Sequence, residues 1–174
     1  MNRISAELRA AGRLVVYIQN TFDDVAVRTW PVFFDHFCAP SRRARMIEAF
    51  TPENFGHALW EGLDIQPTDL RVRKRRFGAF VPGASDLHTI LQARGIDTLI
   101  ITGTATQVGC ESTARDAMKM NYKVFFITDG NATFTDAEHD ATLSAMAHRF
   151  CDVIDTNEMI ATIAAARLSQ PAAA

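Results

Sequence analysis

The segment that most constrains this chain is TLIITGTATQVGCESTARDA, residues 98–117. Thr98 to Thr102 is an apolar run rich in β-branched side chains, the pattern of a strand buried on both faces. Gly103 interrupts it. A short loop follows, and from Cys110 the residues (Glu111, Ala114, Arg115, Ala117, Met118) favour a helix. A strand that turns directly into a helix presents free backbone N–H groups and the positive end of a helix dipole. In an open α/β sheet, ligands bind at the carboxyl ends of the strands. The loop at residues 103–110 is therefore where a site is expected.

The rest of the chain reads as alternating elements around that unit. Ile4, Leu8 and Ala11 share one helical face and Gly12 is placed to end the helix. Leu14 to Gln19 reads as a buried strand, and Leu70 to Phe77 as a strand after the turn signal at 67–69. In the latter, Leu70, Val72, Lys74 and Arg76 share a face, so Lys74 either enters the cleft at the sheet's carboxyl end or belongs to a solvated edge whose charges deter aggregation. Ser85 or Asp86 can cap a helix carrying Leu87, Ile90 and Leu91. Lys123 to Thr128 is another buried strand, Thr135 with Glu138 forms a capping box, and a short strand at 152–155 precedes a last helix carrying Ile160 and Ile163. The tail from Ser169 is expected to fray. Thr21 to Thr51 reads as irregular apart from a short helix at 43–50, and is rich in aromatics. Strands alternating with helices, without repeats, imply one α/β domain over 1–174 with a doubly wound parallel sheet of five to six strands.

Composition excludes several functions. Net charge is −2 and six basic-strand residues lack interleaved aromatics, so no nucleic-acid partner is expected. No stretch approaches the roughly 20 apolar residues of a membrane span, and residues 2–12 are too charged for a signal peptide. Cys38, Cys110 and Cys151 lack paired spacing, which points to a reducing cytoplasm. The five histidines have no ligand spacing, so neither metal nor cofactor is expected.

Three motifs together, the 98–117 segment, Lys74 in RVRKRRFGAF and ITDGNATF, resemble the isochorismatase-like hydrolase family, which includes many cysteine amidohydrolases. The resemblance runs from about Asn2 to Met159. It implies that Lys74 is the catalytic lysine and that the nucleophilic cysteine of the pattern TGTxTNVCCESTARDA falls on Gly109, followed here by Cys110. In such amidases a helix-terminal thiolate attacks a carbonyl, an aspartate moves protons, and two backbone N–H groups hold the oxyanion. By position those donors would be Gly109 and Ala105, beside Thr106, with the peptide bond before Ala105 often cis. Glycine at 109 also resembles true isochorismatases, which cleave a vinyl ether by acid catalysis. Cys110 is a possible substitute nucleophile or a small buried hydrophobe. The family's aspartate belongs to a first strand with a DMQ-like motif, and the 174 residues contain no match to it. Asp23 and Asp24 either replace it or cap a turn. Gly78 stands where the family has serine, and Asp129 is read as a loop cap.

Three functions follow: a catalytically impaired hydrolase-family protein, an active hydrolase of a small amide or vinyl ether using other acids, or a non-catalytic module binding a small anion. Flavodoxin-like nucleotide binding is a fourth, weakened because residues 19–23 hold no glycine. Partners are a small-molecule substrate or anion and, given Trp30, Phe33, Phe34, Phe37, Phe55 and Trp60, a second copy in a homodimer or higher homo-oligomer. The family's sheet order without its central strand leaves the 14–19 and 98–102 strands facing a gap. They are expected to close up and pair, giving order 2-1-3-4-5; the alternative is a foreign strand between them.

Overall fold

The computed structural model describes residues 1–168; the expected fraying of the tail from Ser169 lies outside these described residues. The elements are α1 (Asn2–Ala10), β1 (Val16–Asn20), α2 (Asp24–Thr29), α3 (Pro40–Phe50), β2 (Leu70–Lys74), α4 (Leu87–Gln92), β3 (Thr98–Thr104), α5 (Glu111–Lys119), β4 (Lys123–Ala132), α6 (Asp136–Arg149), β5 (Asp152–Ile154) and α7 (Thr156–Leu168). π-type turns occupy Val32–Phe37 and Thr106–Cys110. The α/β class, the parallel pairing and the five strands match the sequence reading. Among the described residues no helix is long and apolar enough to cross a membrane.

The strands form two parallel sheets, β2–β1 and β3–β4–β5. The expected closure of β1 on β3 does not occur. The helical layers explain why. One core cluster takes Val72 from β2, Leu87 and Leu91 from α4, Ala114 and Ala117 from α5 and Phe126 from β4, with Val16, Ile18, Leu99 and Ile101 packed against it. On the opposite face, Ile4 of α1 packs with Met159 and Ile163 of α7 and Ile127 of β4. The first layer spans both half-sheets, and on the opposite face α1, packed on β4 and α7, is tied to β1 through Arg9 and Tyr17 Oη at 3.3 Å, so bringing β1 against β3 would require repacking helices on both faces. A cleft of about 740 Å³ lies between β1 and β3 instead.

Arg9 anchors α1 at the entry to β2. Its guanidinium donates to both carboxylate oxygens of Asp69 (3.0 and 2.7 Å), a bidentate geometry suited to a carboxylate that is nearly fully buried. The pair holds Asp69 well below the usual carboxylate range, through the Arg9 hydrogen bond first.

The 21–51 segment is more ordered than its sequence suggests. Asp23 caps α2 by accepting from the Ala26 N–H at 2.9 Å. Pro40 starts α3 from its first turn, where its missing N–H costs nothing. Phe22, Phe33 and Phe34 pack as a small buried cluster with Trp30, Phe50 and Phe77 around it. The expected helix at 43–50 starts three residues earlier, and the low count of apolar residues at strict helical spacing hid α2. Aromatic packing, a tertiary effect, stabilises them.

Candidate active site

The strand β2 ends at Lys74, directly beside Asn20 at the end of β1. Val72 is buried while Arg71 and Arg73 are exposed, so strand alternation turns Lys74 inward, as one of the two sequence readings required. The chain then curls back, and the Lys74 ammonium donates to the carbonyls of Phe77 (2.8 Å) and Arg76 (3.2 Å) and to Asn20 Oδ1 (3.3 Å). None of these partners is a carboxylate. Burial pushes the Lys74 pKa down to about 8, with the Cys110 thiol a smaller opposing influence.

Across from it, β3 passes through Gly103 (φ 141°), a conformation that side-chain-bearing residues rarely adopt. The peptide bond between Thr104 and Ala105 is cis, as the resemblance implies. The 106–110 turn then leads into α5. A Cβ at Gly109 would sit 3.6 Å from Lys74 Nζ and from the Phe77 carbonyl oxygen, an ordinary contact distance. Lys74 and Gly109 therefore meet face to face, and both line the cleft between the half-sheets, together with Cys110.

The other residues singled out by sequence fall differently. The Gly109 N–H donates to the Ala105 carbonyl at 3.1 Å, as does Val108 N–H. Gly109 N–H is thus engaged within the turn, not the free donor the strand-to-helix reading anticipated, because the π-type turn continues the helical hydrogen bonding one turn earlier. Thr106 is fully buried and its hydroxyl lies 3.0 Å from His139 Nδ1, off the cleft. Cys110 is buried, and burial raises its thiol to about 12 despite the nearby Lys74 ammonium. Its thiol lies against the end of β3: a Cβ on Gly103 would stand 3.5 Å from Cys110 Sγ.

Neither candidate acid reaches this point. Asp23 is held by Arg75 in a bidentate pair (2.9 and 2.7 Å) besides its capping bond, and Asp24 is exposed on α2. Asp129 accepts from the Thr156 N–H and hydroxyl, both at 2.8 Å, and so caps α7. A Cβ at Gly78 would come within 3.0 Å of Asp116 Oδ2. Among the described residues, no group of three His, Cys, Asp or Glu is placed to hold a metal. Asn20 was not singled out by sequence. The clue was its place at the last position of β1, in phase with the last position of β2.

Arranged this way, a lysine whose ammonium is buried among neutral oxygens faces a glycine at a helix-entry turn, beside an open apolar cleft. The profile of the isochorismatase domain matches residues 1–158. The chain is 48% identical over 81 residues to the uncharacterized isochorismatase family protein YwoC of Bacillus subtilis, covering 47% of this chain and 42% of that protein. It is 35% identical over 121 residues to the ureidoacrylate amidohydrolase RutB of Caulobacter vibrioides, covering 66% and 53%. These curated relatives are matched over about half their length. Among solved structures, a cysteine hydrolase from Pseudomonas syringae pv. phaseolicola superposes with a TM-score of 0.79 at 28% identity, over 94% of this chain and 78% of that one. An isochorismatase family protein from Burkholderia thailandensis gives 0.77 at 27%, over 94% and 80%. With the isochorismatase domain matched over residues 1–158 and the fold shared with these structures, the chain belongs to the isochorismatase family.

Proposed function

We propose that this chain is a catalytically impaired member of its hydrolase family, retaining a lysine-based site for a small carbonyl compound or anion without the groups that turn an amide over. One observation carries the reading. The position facing Lys74 is Gly109, with no side chain, although a Cβ there would make only ordinary contacts. The nearest thiol, Cys110, is buried and has its pKa raised to about 12, which leaves it protonated at neutral pH. The carboxylates nearest by sequence are tied to Arg75 or exposed on α2. What remains is a desolvated ammonium with neutral partners, a group suited to an anion or a polarised carbonyl oxygen.

Ammonia release from a panel of small amides, ureidoacrylate and nicotinamide among them, tests this. The expected result is no release above the buffer rate. Robust release that Lys74→Ala abolishes would overturn the impaired reading in favour of an active amidase.

The exposed aromatics support self-association. Phe33 and Phe34 are absorbed into the chain's own core, but Phe37, Phe55 and Trp60 remain 80%, 95% and 71% exposed. Large apolar groups left in this state favour an interface. The expected result of sedimentation at tens of micromolar is a homodimer; a monomer would contradict it.

A further inference from the structure

Gly109 leaves a carbon-sized place in front of the Lys74 amine. A Cβ at this position would stand 3.6 Å from Lys74 Nζ, 3.6 Å from Phe77 O and 3.9 Å from Thr104 O, all ordinary contacts. A carbon there is close to the separation of roughly 3–3.5 Å from which a bond to nitrogen forms. The neighbouring side chain does not take the place, since the Cys110 thiol lies against Gly103.

The amine is suited to such a carbon. Lys74 is half-buried, and its three hydrogen-bond partners are neutral: Phe77 O at 2.8 Å, Arg76 O at 3.2 Å and Asn20 Oδ1 at 3.3 Å. With no carboxylate among them, these partners do not offset the burial that lowers its pKa to about 8. At pH 7 about a tenth of the molecules then carry the uncharged amine, roughly 300-fold more than for a lysine at the ordinary 10.5. An uncharged amine has two N–H groups for three oxygens. The longest contact, to Asn20, is given up, which frees the lone pair for bonding.

On the reading of this site as a lysine-based one for a carbonyl compound, we propose that Lys74 forms an imine with small aldehydes whose carbonyl carbon takes the place left by Gly109. The lone pair forms the N–C bond and the C=O pair moves to oxygen, which gains through solvent the proton that nitrogen loses. Departure of that oxygen as water forms C=N, so Lys–NH2 and R–CHO give Lys–N=CH–R and water, with nothing oxidised or reduced. The protonated imine keeps one N–H, and Phe77 O is the nearest acceptor for it. Flanking oxygens at 3.6 and 3.9 Å leave the carbon room for one chain, which favours an aldehyde over a ketone. The chain itself meets an apolar wall that includes Ile18 and Phe80.

The sequence holds three lysines, so Lys119 and Lys123, with side chains 62% and 74% exposed, serve as internal controls. The intact chain is incubated at pH 7 with butanal and cyanoborohydride, which reduces the imine to a stable secondary amine. Peptide mass spectrometry reads the initial rate at each lysine, apart from the N-terminal amine. Lys74 is expected to be alkylated at least about tenfold faster than either control. Gly109→Ala, whose Cβ occupies the carbon's place at ordinary contact distances, is expected to remove that lead. Ammonia release from amides reports separately on the impaired state, so failure of either reading is visible without the other. A smaller lead of Lys74 over the controls, or none, would overturn the proposal, as would a lead that Gly109→Ala leaves intact.

Discussion

Replacing Gly109 by cysteine is expected to create a reactive thiol without creating an efficient amidase. The site has room for it: a Cβ at 109 meets Lys74 Nζ and Phe77 O at 3.6 Å and Thr104 O at 3.9 Å. A thiol there stands beside an ammonium, which favours the thiolate. At pH 7 the introduced thiol should therefore be alkylated at least about a hundredfold faster than Cys110, whose burial keeps it protonated. Amide hydrolysis requires proton transfer as well. The ammonium's own partners are Asn20, Arg76 O and Phe77 O, with no carboxylate among them, and absence of a positioned general base costs about 10²–10⁴ in rate. The expected kcat for small amides is at or below about 0.1 s⁻¹, against a typical enzyme value near 10 s⁻¹. Steady-state assay of the variant checks this, and a kcat near the typical value would mean that a proton-transfer group exists which the geometry does not reveal.

Lys74→Met is expected to be more stable than the parent at pH 7, and to lose that advantage in alkali. Burial lowers the folded-state pKa of Lys74 from 10.5 to about 8. Below pH 8 the lysine is charged in both folded and unfolded states, and the whole cost of burying the charge is present. Between about pH 8 and 10.5 the unfolded chain binds the proton and the folded chain does not, so stability of the parent rises with pH in that window. At about 1.4 kcal/mol per unit, the gross cost is on the order of 3 kcal/mol. Methionine removes it but leaves the carbonyls of Arg76 and Phe77 and Asn20 Oδ1 without their donor, at about 0.5–1 kcal/mol for each of the three lost hydrogen bonds. The net gain is about 1 kcal/mol at pH 7. Denaturant unfolding of both proteins from pH 7 to 10.5 measures it. Curves that stay parallel would mean that Lys74 is not desolvated.

The elements legible in the sequence were those that local chemistry determines. The runs at 98–102 and 123–128 are apolar enough to be strands in any context, and the strands continue to Thr104 and Ala132. Thr135 caps α6 by accepting from the Glu138 N–H at 3.3 Å, as the spacing predicts, and Gly12 follows α1 at φ 65°. The inward register of Lys74 was also readable, as one of two alternatives, from alternation along β2.

What was not legible depends on distant contacts. The helix at 24–29, like the helix at 40–50 of which the sequence shows only 43–50, is held by a cluster built around Phe22, Phe33 and Phe34 that sequence spacing does not reveal. β1 and β3 stay apart with helices of both layers lining the cleft between them, whereas unpaired backbone groups alone favour closure. The engagement of Gly109 N–H by Ala105 O follows from a π-type turn, whose length composition does not encode.

On the proposed function no activated nucleophile faces Lys74. Residue-resolved alkylation by iodoacetamide across pH 6–10, read by mass spectrometry on the folded protein, checks this. With its pKa raised to about 12 by burial, Cys110 should react at pH 7 on the order of a thousandfold more slowly than a free cysteine of pKa about 8.5, with a rate that climbs about tenfold per pH unit throughout the range. Modification of Cys110 at pH 7 at or above the free-cysteine rate, lost in a Lys74→Ala variant, would show a lysine-activated thiolate and contradict the account.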